Sequence, residues 1–346
     1  EASSRSRVRA VVQVIGFALS IVALGWAVRM ALREENRAQL ERLLEAGPLQ
    51  ILTMVALATA SVGVNGLIFW VLIRPVRALR ATDVISVNAI ATLLAYLPFK
   101  LSLVARVAIH RKRDGIAILT IGAWLAAAGV AMLAALGPMA LASVWLKEID
   151  ALWISTIALG VGAALGLTIL VSRALEGERG LRRVRAFPLG SVITRTAWYE
   201  QLHEGFAMLA CWRASSLAAL LRVVDVLLFA GRFVAAAWIL GLPIGWSDAV
   251  LLGSGYFLLG ALSPFGALGP REIGTVGIAA LVGVGAAEQG DGSASPIATA
   301  VVFITAVEAV VNTACAGFGV AWLRADRMIR RAGESGGEGE EEGEGQ

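Results

Sequence analysis

Long apolar runs alternate with short polar interruptions along this chain, and the length of each run decides what it can be. Six runs, at about 11–31, 49–73, 115–138, 151–173, 214–241 and 297–323, reach the ~18 apolar residues that mark a membrane-crossing helix. At ~1.5 Å per helical residue each can cross a hydrocarbon core ~30 Å thick. Two further apolar stretches break the pattern. Residues 84–97 end at Pro98 after only about 14 residues, too few to cross. Residues 248–287 are interrupted in their middle by "LSPFGALGPREIG" (262–274), where two prolines, three glycines and the pair Arg271-Glu272 stand in otherwise apolar surroundings. Backbone turns at membrane depth persist only where protein or a wet cavity satisfies their polar groups. The pattern therefore predicts an all-α polytopic membrane bundle of six full spans plus two re-entrant helical hairpins.

Composition agrees with that class. The chain has 346 residues, 58% hydrophobic and 16% charged, with a mean hydropathy of +0.74, whereas soluble domains carry about a quarter charged residues. Cys211 and Cys315 lie far apart in apolar segments and predict free thiols. His110 and His203 are expected to be solvated or interfacial, with no metal site between them. No Walker-type loop is present, so neither nucleotide nor any other cofactor is expected, and no nucleic acid. The excess of Arg, Ala and Gly points to a GC-rich bacterial genome. Residues 333–346, a Gly/Glu tract, cannot bury a core and predict a disordered acidic tail after a single membrane domain at 1–332.

Positive charge orients the spans. Arg5, Arg7 and Arg9, then Arg74, Arg77 and Arg80, "HRKR" (110–113), the basic loop 173–195 and Arg324 to Arg331 all belong on the cytoplasmic side. "EQGDGSASP" (288–296) has no Lys or Arg and belongs outside. The first helix is expected to be retained after its basic flank, and 29–47 reads as an amphipathic surface helix on the outer side. Both termini are then cytoplasmic and the protein lies in the inner membrane. The assignment closes only if 84–112 enters and leaves from inside and 248–287 from outside, so that the two hairpins oppose each other.

The two interrupted stretches also resemble each other. "LLAYLPFKLSLVAR" (93–106) and "LLGALSPFGALGPRE" (258–272) share a Leu pair, a Pro-Phe and an arginine seven or eight residues past the proline, Arg106 and Arg271. Each lies between two full spans, giving units of about 49–138 and 214–323 with opposite starting sides. That is an inverted-topology repeat, in which broken helices meet near the midplane.

Ionisable groups within the spans are costly there and face the bundle interior or water. Arg222 and Asp225 share a helix face at i, i+3, and Arg232 falls seven residues further on. Arg222 is expected either to snorkel or to pair with Asp225. Glu308 and Asn312 share a face of the last span, and Glu308 needs Arg271, Arg232, a cation or a proton as partner. Gly266 and Gly269 permit a tight turn before Arg271-Glu272, and the helix N-terminus there offers N–H groups to an anion. Lys100 and Arg106 add positive charge to the first hairpin. Lys100, Arg106, Arg232, Gly266, Gly269, Arg271, Glu272 and Glu308 are therefore the candidate substrate-binding set, suited to an anionic headgroup. Asn88, Pro98, Arg222, Asp225, Pro264 and Asn312 are candidates for structural and charge-pairing roles. "GVGAALG" (160–166) supplies small residues for helix packing. Glu200, His203 and Glu204 read as a solvated helix face, since no nucleophile or metal pattern accompanies them, and no catalytic residue is assigned.

The stretches 88–106, with Asn88 ten residues before Pro98, and 247–274, with its proline, glycine-rich turn and Arg-Glu pair, resemble the two signatures of the lysylphosphatidylglycerol synthase transmembrane-region (flippase-like) family. The likeness spans roughly 49–323. Where that family's first motif usually ends Gly-Glu, this chain has Ser102-Leu103. The resemblance implies an integral membrane protein that translocates or handles a lipid, and the aminoacyltransferase domain of the synthases has no counterpart in this sequence. Membrane lipids are the expected partners, with a homo-oligomer or a soluble protein at 173–195 as further candidates. A membrane-embedded enzyme acting on a headgroup through Glu272 or Glu308, and a non-catalytic membrane partner of a soluble enzyme, are the alternatives to a translocase.

Overall fold

A computed structural model describes residues 2–98, 100–186, 194, 197–263, 266–284 and 296–337, with side chains except at 2–13, 197, 198, 200–202, 204 and 325–337. Among the described residues there is no strand. The helices in chain order are α1 (Ala2–Ala31), α2 (Arg37–Leu44), α3 (Pro48–Ile73), α4 (Ala81–Leu94), α5 (Leu101–Asp114), α6 (Ile118–Trp145) and α7 (Ala151–Leu175). They continue as α8 (Gly177–Arg185), α9 (Ala197–Ala210), α10 (Trp212–Leu240), α11 (Trp246–Leu262), α12 (Pro270–Val282) and α13 (Pro296–Gly337). Six helices are long and apolar enough to cross a membrane: α1 over Val14–Ala31, α3, α6, α7, α10 and α13 over Pro296–Arg324. The chain is a multi-pass membrane protein on that ground.

The expected spans fall within the observed helices to within a few residues, though α1 starts earlier, α13 runs on past its span and α6 is longer than expected. In α6 the helix runs on through Pro138 to Trp145, seven residues past the expected end of that span. Proline is tolerated inside membrane helices when a neighbour closes over the freed backbone. Here α7 does so at Gly160, where a Cβ would stand 2.8 Å from the Pro138 ring. The other two glycines of "GVGAALG", Gly162 and Gly166, have no neighbour within 4 Å, so the packing expected of that motif reduces to Gly160. The apolar segment of α7 is only 6% buried.

Within a membrane, helix association rests on close packing, because lipid tails are as apolar as the side chains. A Cβ on Gly66 would come 2.8 Å from the Ile85 Cα, and one on Gly319 would come 2.7 Å from the Ser86 carbonyl oxygen. Helix α4 thus sits at backbone distance from both α3 and α13. Gly253 plays the same part between α11 and α10, 3.0 Å from the Ala230 nitrogen. The contacts of α3–α6 have counterparts in those of α10–α13. α3 packs on α4 as α10 does on α11, α4 on α13 as α11 on α6, and α3 on α13 as α10 on α6, while α3 and α10 pack on each other.

Hydrogen bonds sort the helix ends into two groups. At one end Arg113 pairs with Asp83 at 2.9 Å, the Trp322 indole donates to Asp83 at 3.0 Å, and Arg173 donates to the Ala210 carbonyl at 3.3 Å. At the other, Arg42 of α2 donates to the Leu240 carbonyl at 3.0 Å, Ser247 to the Leu146 carbonyl at 2.7 Å, and Thr299 to the Ala31 carbonyl at 3.4 Å. The former group carries "HRKR" and α8, the latter the balanced charges of 34–45.

His110 departs from expectation. It is buried, with Nδ1 2.7 Å from Asp114 Oδ2 and its ring 5.0 Å from that of Trp124. A carboxylate one turn away and an aromatic face give the imidazole what solvent would have supplied. His203 is half-buried and stacked on Tyr199, while the side chains of Glu200 and Glu204 lie outside the described residues. Helix α13 extends beyond the last span to Gly337 and so takes in the first five residues of the tail expected to be disordered at 333–346; the rest of that tail is outside the described residues, as are Pro264 and most of 288–296.

Candidate functional site

The short helices decide where the site lies. α4 and α5 pack on each other and are joined by 95–100; α11 and α12 do the same around 263–269. The two turns meet, with the Ala267 N–H donating to the Ala95 carbonyl at 3.0 Å. A Cβ on Gly266, at φ +113°, would stand 3.0 Å from the Tyr96 carbonyl oxygen. The sequence predicted two opposed hairpins, with a polar cavity between their turns. They touch instead, and a cavity of about 480 Å³ lies beside the contact, lined by both turns and by α3, α6, α10 and α13.

Arg106, Arg222, Arg232, Arg271, Glu308 and Asn312 all line this cavity. Its remaining wall is largely apolar, with Val62, Phe69, Leu125, Met132, Phe257 and Leu262 among the contributors. The four arginines are 2–9% exposed, so each needs a counter-charge, a hydrogen-bond acceptor or an aromatic face. They find these in two separate clusters.

The first cluster surrounds Arg106 and Arg222. Arg106 Nη2 donates to Asn88 Oδ1 at 2.5 Å, Asn88 Nδ2 donates to the Val62 carbonyl at 3.1 Å, and the guanidinium lies 4.0 Å from the Phe69 ring centre. No carboxylate among the described residues pairs with Arg106. Arg222 Nη1 donates to Asp225 Oδ2 at 2.7 Å, so the pairing expected of these two residues is present and Arg222 does not snorkel. Ser61 of α3 donates to the other Asp225 oxygen at 2.6 Å, and Asn65 donates at 3.5 Å to the oxygen held by Arg222.

The second cluster surrounds Glu308. One of its oxygens accepts from Arg232 Nη1; the other accepts from Arg271 Nη1 at 2.9 Å and from the Tyr256 hydroxyl at 2.9 Å. Arg271 Nε also donates to Glu272 Oε1 at 2.7 Å, and Thr305 donates to the same oxygen at 2.9 Å. Arg271 lies over the Tyr256 and Tyr96 rings, 4.4 and 5.1 Å from their centres, and Asn312 donates to the Tyr96 hydroxyl at 2.6 Å. Arg232 lies 3.7 Å from the Phe229 ring centre. Cation–π contacts of this kind stabilise a desolvated cation by about 2 kcal/mol.

Several candidates fall elsewhere. Lys100 is exposed at φ +50° and does not line the cavity. Gly266 and Gly269 shape the turn without lining the cavity; Gly269, at φ +91°, lies against the Ser20 backbone of α1. The N-terminus of α12 was expected to offer its N–H groups to an anion. Glu272 instead folds back and accepts from the Gly269 N–H at 2.5 Å. A carboxylate at the third helical position caps its own helix in this way, and here it also holds Arg271. Glu272 is fully buried behind Arg271 and outside the cavity lining. Pro98 is buried in the first turn, and Pro264 lies outside the described residues.

Sequence reasoning missed Tyr96, Tyr256, Ser61, Asn65 and Thr305. Signals for them existed. The chain uses three Tyr against 11 Phe, and a phenol in an apolar span needs a partner for its hydroxyl. Ser61 and Asn65 stand at i, i+4, and Thr305, Glu308 and Asn312 share a helix face at i, i+3 and i+7.

Within the cavity and its backing the arrangement holds four guanidiniums and three carboxylates, Asp225, Glu272 and Glu308. Arg222 Nε, Arg232 Nη2 and Arg271 Nη2 are buried and find no acceptor among the described residues. A site with one positive charge in excess and unmatched guanidinium donors can receive an anion carrying several acceptor oxygens. Among the described residues no group of His, Cys, Asp and Glu could hold a metal ion. Comparison of the chain with protein families, with curated proteins and with solved structures finds no match.

Proposed function

We propose that this protein is a bacterial inner-membrane lipid translocase that moves an amphiphile with an anionic headgroup through the cavity between its two broken-helix pairs. The observation that carries the reading is the set of three buried arginines that line a mostly apolar cavity, each with an N–H donor unmatched among the described residues. A headgroup oxygen cluster suits those donors, and acyl chains suit the apolar wall. The resemblance of 88–106 and 247–274 to the flippase-like family agrees with it.

The architecture proposed is an inverted repeat with two opposed re-entrant hairpins. The paired contacts of α3–α6 and α10–α13 support it. So do the lengths of the hairpin helices, 14, 14, 17 and 13 residues, the longest of which reaches ~26 Å against the ~30 Å of a bilayer core. In this orientation the basic group of helix ends and both termini are cytoplasmic.

Transport is tested by reconstituting the full chain in liposomes with fluorescent phosphatidylglycerol and following its loss to a membrane-impermeant quencher. Accelerated exchange over protein-free liposomes is expected, and equal rates would refute the reading. Orientation is tested in a Cys211→Ser/Cys315→Ser background. Lys147→Cys should react with an impermeant maleimide added to intact cells, and Lys112→Cys should not.

A further inference from the structure

The two clusters differ in net charge. Arg222 pairs with Asp225, and Arg106 has no carboxylate partner among the described residues, which leaves one positive charge in excess. Arg232 and Arg271 face Glu308 and Glu272, which leaves none. Yet Arg232 Nη2 and Arg271 Nη2 in the neutral cluster are unmatched donors, just as Arg222 Nε is in the positive one. Both clusters lie on one cavity. Along α10, Arg222 and Arg232 are separated by ~15 Å, with Arg222 nearer the basic ends of the helices.

The two carboxylates of the neutral cluster are not equivalent. Glu272 is held by a backbone N–H, by Thr305 and by Arg271, and it does not line the cavity. Glu308 lines the cavity and bridges Arg232 and Arg271, so it occupies the position between two guanidiniums that a phosphate would take. The groups facing it are Arg232 from α10, Tyr256 from α11 and Arg271 from α12, with Glu272 and Tyr96 beyond Arg271. Helix α3 contributes only Ser61 and Asn65, and both turn to Asp225.

Resting on the translocase reading, we propose that the Glu308 cluster is a proton-linked anion site: a phosphodiester displaces Glu308 from Arg232 and Arg271, and Glu308 takes up one proton from water as it leaves them. Charge balances in this exchange. One negative charge enters, one is neutralised by the proton, and the buried cluster stays neutral, whereas an anion entering without a proton would leave an uncompensated charge in a low-dielectric site. The Arg106–Arg222 cluster, with its charge in excess, receives the same anion with no proton. Passage of a headgroup from one cluster to the other is then accompanied by uptake or release of that proton at Glu308. Tyr256, which donates to Glu308, can turn its hydroxyl to Thr305, 2.9 Å away, when the carboxyl protonates.

The test titrates dihexanoyl phosphatidylglycerol into the purified full chain by calorimetry, in buffers of different ionisation enthalpy. Uptake of about one proton per protein at saturation is expected, with affinity at the proton-linked site rising by up to ~10-fold per unit fall in pH. Glu308→Gln should bind with no proton uptake and no such pH dependence. The wild-type proton count needs no variant to fold. Binding with no proton uptake overturns this inference and leaves the translocase reading standing. Proton uptake that persists in a folded Glu308→Gln protein also overturns it. Absence of binding at any pH overturns both.

Discussion

The two broken-helix pairs are alike in backbone and unlike in charge. Each interrupts a pair of short helices with a proline-containing turn, each turn touches the other, and each is followed by an arginine in the same cavity. In the first pair that arginine, Arg106, rests on an amide and a phenyl ring. In the second, Arg271 is held by two carboxylates and overlies two tyrosines. A repeated scaffold therefore fixes where an arginine stands, and the residues around it set whether it is a charge in excess or one already compensated. The same difference appears in how the turns are made. The first uses an exposed left-handed lysine, Lys100, and the second a buried left-handed glycine, Gly269.

The largest effect should come from removing the arginine that has most partners. Arg271→Ala leaves Glu272 without its guanidinium and Glu308 with one in place of two, and stranding buried charge costs ~3–5 kcal/mol. Thermal unfolding in detergent should show a large fall in Tm, and lipid exchange should be lost. If Tm and exchange both survive, the second pair is no more charge-dependent than the first and the comparison breaks.

Next comes the glycine. Gly269→Ala drives a Cβ into the Ser20 carbonyl oxygen at a φ of +91°. Because the obstruction is backbone, the turn and α1 must both move, at a cost of about 1–3 kcal/mol. Hydrogen exchange should rise in α12 and in the middle of α1 and stay unchanged in α4 and α5. Loosening spread over all four would mean the two turns act as one unit.

Arg106→Gln should cost less than Arg271→Ala because no carboxylate is stranded. The loss is that of a buried hydrogen bond to Asn88 and a ring contact, about 1–3 kcal/mol. Lipid exchange should fall steeply all the same, since the excess positive charge goes with it. A variant as unstable as Arg271→Ala would show that Arg106 is a structural pin and not a binding group.

How far this was legible in the sequence follows from range. The spans were legible because an uninterrupted apolar run of that length has one physical use. Arg222–Asp225 was legible because helical spacing sets the pairing of near neighbours. The Glu308 cluster was legible only as a need: a glutamate in a span requires partners, and the two arginines named for it both reach it. What spacing could not supply was contact between distant segments. The direct meeting of the turns, the closure of Gly160 on Pro138 and the burial of His110 under Trp124 each depend on two segments whose approach no local pattern encodes. The capping of α12 by Glu272 was local and still missed, because the Arg271-Glu272 pair invited a reading of both as charges for a ligand.

The smallest effect belongs to the residue on which the two turns differ most visibly. Lys100 adopts φ +50°, ψ +41° just before α5, a region that costs a side-chain-bearing residue about 1–2 kcal/mol. Lys100→Gly removes that strain but gives the unfolded chain more freedom, worth about 0.5–1 kcal/mol in the opposite sense. The two nearly cancel, so Tm should stay the same or rise slightly. Because Lys100 is exposed and outside the cavity, lipid exchange should also be unchanged. Lys100 was a candidate headgroup ligand on its position next to the first turn, so exchange in this variant decides its role. A clear drop at unchanged Tm would make Lys100 a point of headgroup capture at the mouth of the first pair, and the positive side of the comparison would then extend beyond the buried cluster to the surface.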